Sequence, residues 1–122
     1  MKDRYLYFNS RDELYRVDIN RIVYFEADGN YVNFVACGGQ KGTVWTSLTQ
    51  MEHLLTARIK EDASSFARIG RKYIINLNYV FHINIPRQQI VLSDGNSFTF
   101  QTCLSKESLK QLKDFFVVSK DK

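Results

Sequence analysis

The chain has 122 residues, 17 of them Lys or Arg against 13 Asp or Glu, for a net charge of +4 and a pI near 9.1. An apolar share of 44%, with nine Phe, seven Tyr and one Trp, supports one modest folded core and excludes a disordered chain. Cys37 and Cys103 stand far apart with only His53 and His82 beside them, which excludes a zinc-type cluster, and no apolar run reaches the length of a membrane span or a signal-peptide core.

From the amino end, Arg4 to Phe8 and Leu14 to Asp18 read as the arms of a hairpin separated by polar turn residues. Ile22 to Ala27 is a third strand, and Asp28-Gly29-Asn30 turns the chain into Tyr31 to Cys37. In that strand Val32, Phe34 and Ala36 face one way and Tyr31, Asn33 and Val35 the other. Gly38-Gly39 makes a second turn, and Thr43 to Thr46 is the returning strand, with Val44 and Trp45 in it. The period then changes. Leu48, Met51, Leu54 and Leu55 fall at helical spacing, and Ser47 with Gln50 matches a capping box, so a helix is predicted over Ser47 to Thr56. Glu61 to Ser65 is a polar linker.

Phe66 to Asn76 is the most informative stretch: Phe-Ala-Arg-Ile-Gly-Arg-Lys-Tyr-Ile-Ile-Asn. Arg68, Arg71 and Lys72 lie between two apolar groups, with Gly70 among them where the chain must turn sharply. Such a segment suits contact with phosphates and guanine edges; it also suits a plain strand-turn-strand with solvated cations. Leu77-Asn78-Tyr79 reads as a tight loop or one helical turn. Val80 to Ile85 and Gln89 to Leu92 are strands joined at Pro86, which has no N–H for a ladder. Ser93-Asp94-Gly95-Asn96 leads into Phe98 to Phe100. A helix over Ser105 to Val117, striped by Leu109, Leu112 and Phe116, closes the chain, with Ser119 to Lys122 frayed.

No catalytic constellation emerges. Asp12 with Glu13 and Glu26 with Asp28 belong to turns and strands, and neither pair is tied to a nucleophile; His53 and His82 are accounted for by helix and strand. An enzyme, a cofactor and a metal site are therefore not expected. The basic balance favours a polyanionic partner without requiring one. The sparse cysteines fit a reducing compartment, so a cytoplasmic protein is expected, although a single disulfide stays open.

Ile22-Val-Tyr-Phe-Glu-Ala-Asp-Gly-Asn-Tyr-Val32, Ser47-Leu48 opening a helix with Met51-Glu52, and Phe66-x-Arg-Ile-x-Arg-x-Tyr-Ile-Ile-Asn76 together resemble the LytTR DNA-binding domain. The Val80-x-x-Ile83 run and the Asp94-Gly95 turn continue the likeness, which covers residues 5–116 of a single domain spanning 1–122. The resemblance implies a mainly β fold with elongated antiparallel sheets, a short central helix and a C-terminal helix. It also implies the output half of a bacterial two-component response regulator, which binds promoter direct repeats by inserting loops into successive major grooves. A receiver domain or sensor partner, and self-association on DNA, come with that reading. The alternative is a protein-interaction module that keeps the fold without DNA readout.

By position, the resemblance places one contact set at Asn30, Tyr31, Val32 and Asn33. A second falls at Arg68, Gly70, Arg71 and Lys72, and a third, in the last loop before the C-terminal helix, at Gln101, Thr102 and Cys103. The family commonly has His-Arg-Ser where this chain has Gly70-Arg71-Lys72, so Lys72 stands in for a missing phosphate contact. The third loop departs from the Ser and Arg usual there. Arg71 either reads guanine O6 and N7 or pairs with Glu61 or Asp62. Arg68 either contacts phosphate or bonds backbone carbonyls. Asn30 and Asn33 either read adenine or serve turn positions, and Tyr31 is half core, half rim. Lys106 begins a basic helix side with Lys110 and Lys113 and offers a phosphate contact or a solvated face. Cys103 is an inert thiol or a redox handle.

Overall fold

The computed structural model describes residues 5–58, 65–96 and 99–120, and the chain divides into two compact units, Met1–Asn76 and Leu77–Lys122. It is mainly β, with antiparallel sheets and two α-helices among the described residues.

In the first unit, the expected hairpin forms from β1 (Tyr5–Asn9) and β2 (Leu14–Asp18). Ser10 closes it, its backbone N–H and hydroxyl both donating to Glu13 O at 2.8 and 3.3 Å. A five-stranded sheet follows. Its strands are β3 (Ile22–Asp28), β4 (Tyr31–Ala36), β5 (Lys41–Val44), β6 (Phe66–Ile69) and β7 (Tyr73–Asn76), in the order β5-β4-β3-β7-β6. Alternation along β4 matches the sequence: Val32, Phe34 and Ala36 are buried, while Tyr31, Asn33 and Val35 face the other way. Phe25 and Ile74, paired across β3 and β7, join Val32 and Phe34 in one core with Leu6, Phe8 and Val17 of the hairpin. The core is closed by Leu48, Met51 and Leu55 of α1 (Leu48–Arg58).

The capping box is present in full. Gln50 N–H donates to Ser47 Oγ at 3.1 Å, and Ser47 N–H donates back to Gln50 Oε1 at 3.4 Å. Asn76, the one buried polar residue of the core strands, donates from Nδ2 to Ile22 O at 2.8 Å and so fastens the end of β7 to the start of β3.

Boundaries moved around β4 and β5. β4 stops at Ala36, and Cys37–Gly39 form a 3-10 turn in which Cys37 O accepts from Arg21 Nη2 at 3.1 Å. The returning strand is Lys41–Val44 and not Thr43 to Thr46, because the α1 cap already claims Thr46, whose hydroxyl donates to Gln50 Oε1 at 2.9 Å. Of the expected linker Glu61 to Ser65, all but Ser65 lies outside the described residues.

In the second unit, Leu77–Tyr79 is a single helical turn, the second of the two forms open to it from sequence. β8 (Val80–Asn84), β9 (Gln89–Ser93) and β10 (Thr99–Cys103) form an antiparallel sheet in the order β10-β9-β8, with Pro86 in the β8–β9 connection. Phe98, the expected start of the last strand, lies outside the described residues. In the β8–β9 connection Gln88 takes a left-handed φ of 55°, and its carbonyl accepts from Leu104 N–H at 3.1 Å. α2 (Lys106–Lys120) starts from Ser105, whose Oγ accepts from Ser108 N–H at 3.1 Å, and buries Leu109 and Leu112. The helix continues through Lys120, past the expected fraying point at Ser119; 121–122 are outside the described residues. Cys37 is buried and Cys103 exposed, and the two are not joined in a disulfide.

Candidate nucleic-acid interface

Register fixes what gathers at one end of the five-stranded sheet. Asp28 pairs with Tyr31, so Gly29-Asn30 is a two-residue hairpin turn at the C-terminal end of β3. Gly29 has φ 62° while Asn30 stays at negative φ, the pattern of a type II′ turn. Glu26 of the same strand end pairs with Tyr73, and Ala27 N–H donates to Lys72 O at 2.8 Å. The Gly70-Arg71-Lys72 connection between β6 and β7 therefore leaves the sheet at that same end. Gly70 opens it at φ 64°, a conformation that other L-residues adopt only at a penalty.

The three cations of this segment differ sharply. Arg71 sits at the tip, exposed, with no ion-pair partner among the described residues; Glu61 and Asp62, its candidate structural partners, lie outside them. Arg68 is held on α1. Its Nη1 donates to Thr49 Oγ1 at 3.0 Å and to Glu52 Oε1 at 3.2 Å, and its side chain is only 27% exposed. Its hydrogen-bond partners among the described residues are thus side chains and not the backbone carbonyls of the structural alternative. Lys72 is 61% exposed and leans on Glu26, Nζ to Oε2 at 3.5 Å. Glu26 also accepts from Tyr73 OH at 3.2 Å. Arg68 faces the α1 side of the sheet, where its pair partner Ile74 lies in the core, and Lys72 reaches the opposite face, where Glu26 and Tyr73 lie. On that face burial, then the Glu26 carboxylate and Tyr73, push the Tyr24 phenol well above the ordinary tyrosine range.

In the first contact set, Asn30 is exposed on the turn and Tyr31 is 49% exposed beside it. Asn33 is already engaged: Nδ2 donates to Asp28 Oδ2 at 3.3 Å and Oδ1 accepts from Thr43 Oγ1 at 2.7 Å. Glu26 pairs with Asn33 on one side and Tyr73 on the other, so Asn33 and the Lys72 contact share a face of the sheet.

The third set needs a correction. Gln101, Thr102 and Cys103 are not in a loop but form the second half of β10, paired to Val91, Ile90 and Gln89. Gln101 and Cys103 are exposed on one face and Thr102 is half-buried on the other. The connection before α2 is only Leu104-Ser105, because the hydrogen bond from Leu104 to Gln88 extends the sheet to its last residue. Lys106 is exposed in the first turn of α2, with Lys110 and Lys113 exposed further along.

Sequence reasoning missed two features of this sheet end. Glu52 and Thr49 as the holders of Arg68 follow from helix register only once α1 is known to cross the sheet. Trp45 was assigned to a strand, yet it leaves the ladder after Val44 and is 80% exposed. The available signal was the capping box two residues later, which forces the chain out of the sheet before Ser47. Trp45 and Asn30 line a shared concavity of about 410 Å³ with Gly29, Thr46, Ser47 and Gln50.

Comparison with known proteins bears on these arrangements. No curated protein matches the chain. Among solved structures, it is similar to the LytTr DNA-binding domain of a Bacillus cereus protein described as a methyl-accepting/DNA response regulator. That match has 23% identity and a TM-score of 0.64 over 93% of this chain and 96% of that one, a likeness of fold. Among the described residues no helix is long and apolar enough to cross a membrane. A family profile described as the LytTr DNA-binding domain, a family of DNA-binding domains and not of enzymes, matches residues 12–116, and this chain belongs to that LytTR family.

Proposed function

We propose that this chain is the output domain of a cytoplasmic response regulator that binds direct repeats in promoter DNA by inserting turns into successive major grooves. The observation that carries the reading is the shared position of the Gly29-Asn30 and Gly70-Lys72 turns, which leave one sheet end with Arg71 exposed at a tip. A guanidinium there bonds guanine O6 and N7 together, while Lys72 neutralises a phosphate. Arg68, clamped to Glu52 and Thr49, fixes how β6 meets α1 and so aims the turn. Asn30 and Tyr31 flank the base contact, and Asn33 stiffens the hairpin behind them. In the second unit Gln101 and Cys103, with Lys106, supply a separate set of contacts. Two copies lie side by side on the repeats, and a receiver domain or sensor partner supplies the signal.

Titration of random genomic fragments against the protein at several salt concentrations tests this. Saturation of a few fragments, with log affinity falling linearly in log salt, is the expected result. Absence of saturable binding to every fragment overturns it and favours a protein-interaction module on the same fold.

A further inference from the structure

We infer that Trp45 is a positioning contact for DNA, its indole packing on the deoxyribose-phosphate backbone at the rim of the groove entered by the Arg71 turn. The inference rests on the DNA-binding reading above. Three observations lead to it. First, Trp45 is the chain's only tryptophan and is 80% exposed. Tryptophan is concentrated where partners dock.

Second, Trp45 belongs to the same sheet end as both turns. Val44 pairs with Val32, so the next residue flanks Tyr31, at the start of β4 beside the Gly29-Asn30 turn. Tyr31, Val44 and Trp45 line one concavity, of about 530 Å³, and Trp45 borders the Gly29-Asn30 concavity as well. The larger one is also lined by Arg11, Asp12 and Glu13, charges of both signs, so the turn residues and Trp45 carry the argument for where a duplex meets it.

Third, the spacing selects the backbone over the bases. Strand order places β5 three strands from β7 and four from β6, so the turn that carries Arg71 is roughly 14–19 Å away at the usual strand separation. The B-DNA major groove is only about 12 Å wide. With Arg71 at the groove floor, Trp45 therefore meets the sugar-phosphate wall. There its face covers deoxyribose and its indole Nε1–H donates to a phosphate oxygen.

The test uses the single tryptophan as its own probe. Binding is followed independently by anisotropy of a fluorescein-labelled duplex taken from the bound fraction of a random-sequence pool, and by Trp45 emission with the same duplex unlabelled. Emission is expected to quench along the anisotropy curve. Trp45→Ala is expected to weaken binding on the order of fivefold, the lower end for aromatic contacts to nucleic acid, for preferred and random duplexes alike. The salt slope stays unchanged, because no charge is lost. Trp45→Phe recovers part of the affinity, and matching far-ultraviolet dichroism of the variants shows the fold intact. Unchanged emission on saturation, or Trp45→Ala binding as tightly as wild type, overturns the inference while leaving the DNA reading standing. No anisotropy rise for wild type overturns both.

Discussion

The β3–β4 turn and the β6–β7 turn leave the same end of one sheet, and each opens with a glycine at nearly the same φ, 62° and 64°. Their chemistry diverges. Asn30 is neutral, and the Asp28 carboxylate before it is engaged by the Asn33 amide, whereas Gly70 is followed by two cations and preceded by a third. Backbone shape is set by the glycine and the ladder behind it; the side chains decide what the shape is for. Within the basic turn, Glu52 with Thr49 holds Arg68 and Glu26 holds Lys72, leaving Arg71 as the cation without such a holder among the described residues. Replacing it should separate the turns most clearly. Arg71→Ala is expected to lose about 1–3 kcal/mol of discrimination at one base step, while Asn30→Ala shifts preference less. Competition binding with single-substituted duplexes reads both, and an unchanged preference profile for Arg71→Ala ends the assignment.

The likeness of the two backbones is tested next. Gly29→Ala and Gly70→Ala each force a Cβ into the left-handed region, at about 1–2 kcal/mol of stability. A Cβ at Gly29 meets no atom within 4 Å, so its penalty is conformational alone. Urea melts should show lower midpoints for both variants with unchanged slopes. An unmoved midpoint at either position means that its glycine is dispensable.

The contrast also shows what a sequence can carry. Asp28-Gly29 and Gly70 announced their turns, the alternation along Tyr31 to Ala36 gave both faces of β4, and Ser47 with Gln50 marked the start of α1, because each rests on interactions within a few residues. Arg68 was undecidable from sequence, since its partners Thr49 and Glu52 lie 19 and 16 residues away. Trp45 looked like a strand residue because it follows Thr43 and Val44, both strand formers, and only the helix cap ends the ladder. The strand at Gln101 to Cys103 was hidden for a similar reason: the hydrogen bond that extends it runs from Leu104 N–H to the carbonyl of Gln88, a turn residue in the preceding hairpin.

Lys72 gives a smaller effect than Arg71, of a different kind. Its ion pair with Glu26 is exposed on the lysine side, and such pairs contribute about 0–1 kcal/mol, so Lys72→Ala should hardly change stability. On DNA it removes one phosphate contact. The salt slope is then expected to fall by about one while the ranking of sequences is kept. A changed ranking would make Lys72 a base contact and Glu26 the residue that aims it.

The smallest effect is silent at neutral pH and belongs to the face beneath the basic turn. Burial, with Glu26 and Tyr73 nearby, raises the Tyr24 phenol above its ordinary value of 10.0. Below that value both folded and unfolded chains keep the proton, and Tyr24 adds no pH dependence. Above it the unfolded chain releases the proton first, so stability falls as pH rises, by at most about 1.4 kcal/mol per pH unit for one group. Urea melts from about pH 9 to about pH 11 should steepen in wild type and flatten in Tyr24→Phe. Equal slopes would mean that the phenol is solvated in the folded protein, and that the sheet under the Gly70-Lys72 turn is as open to water as the Gly29-Asn30 turn itself.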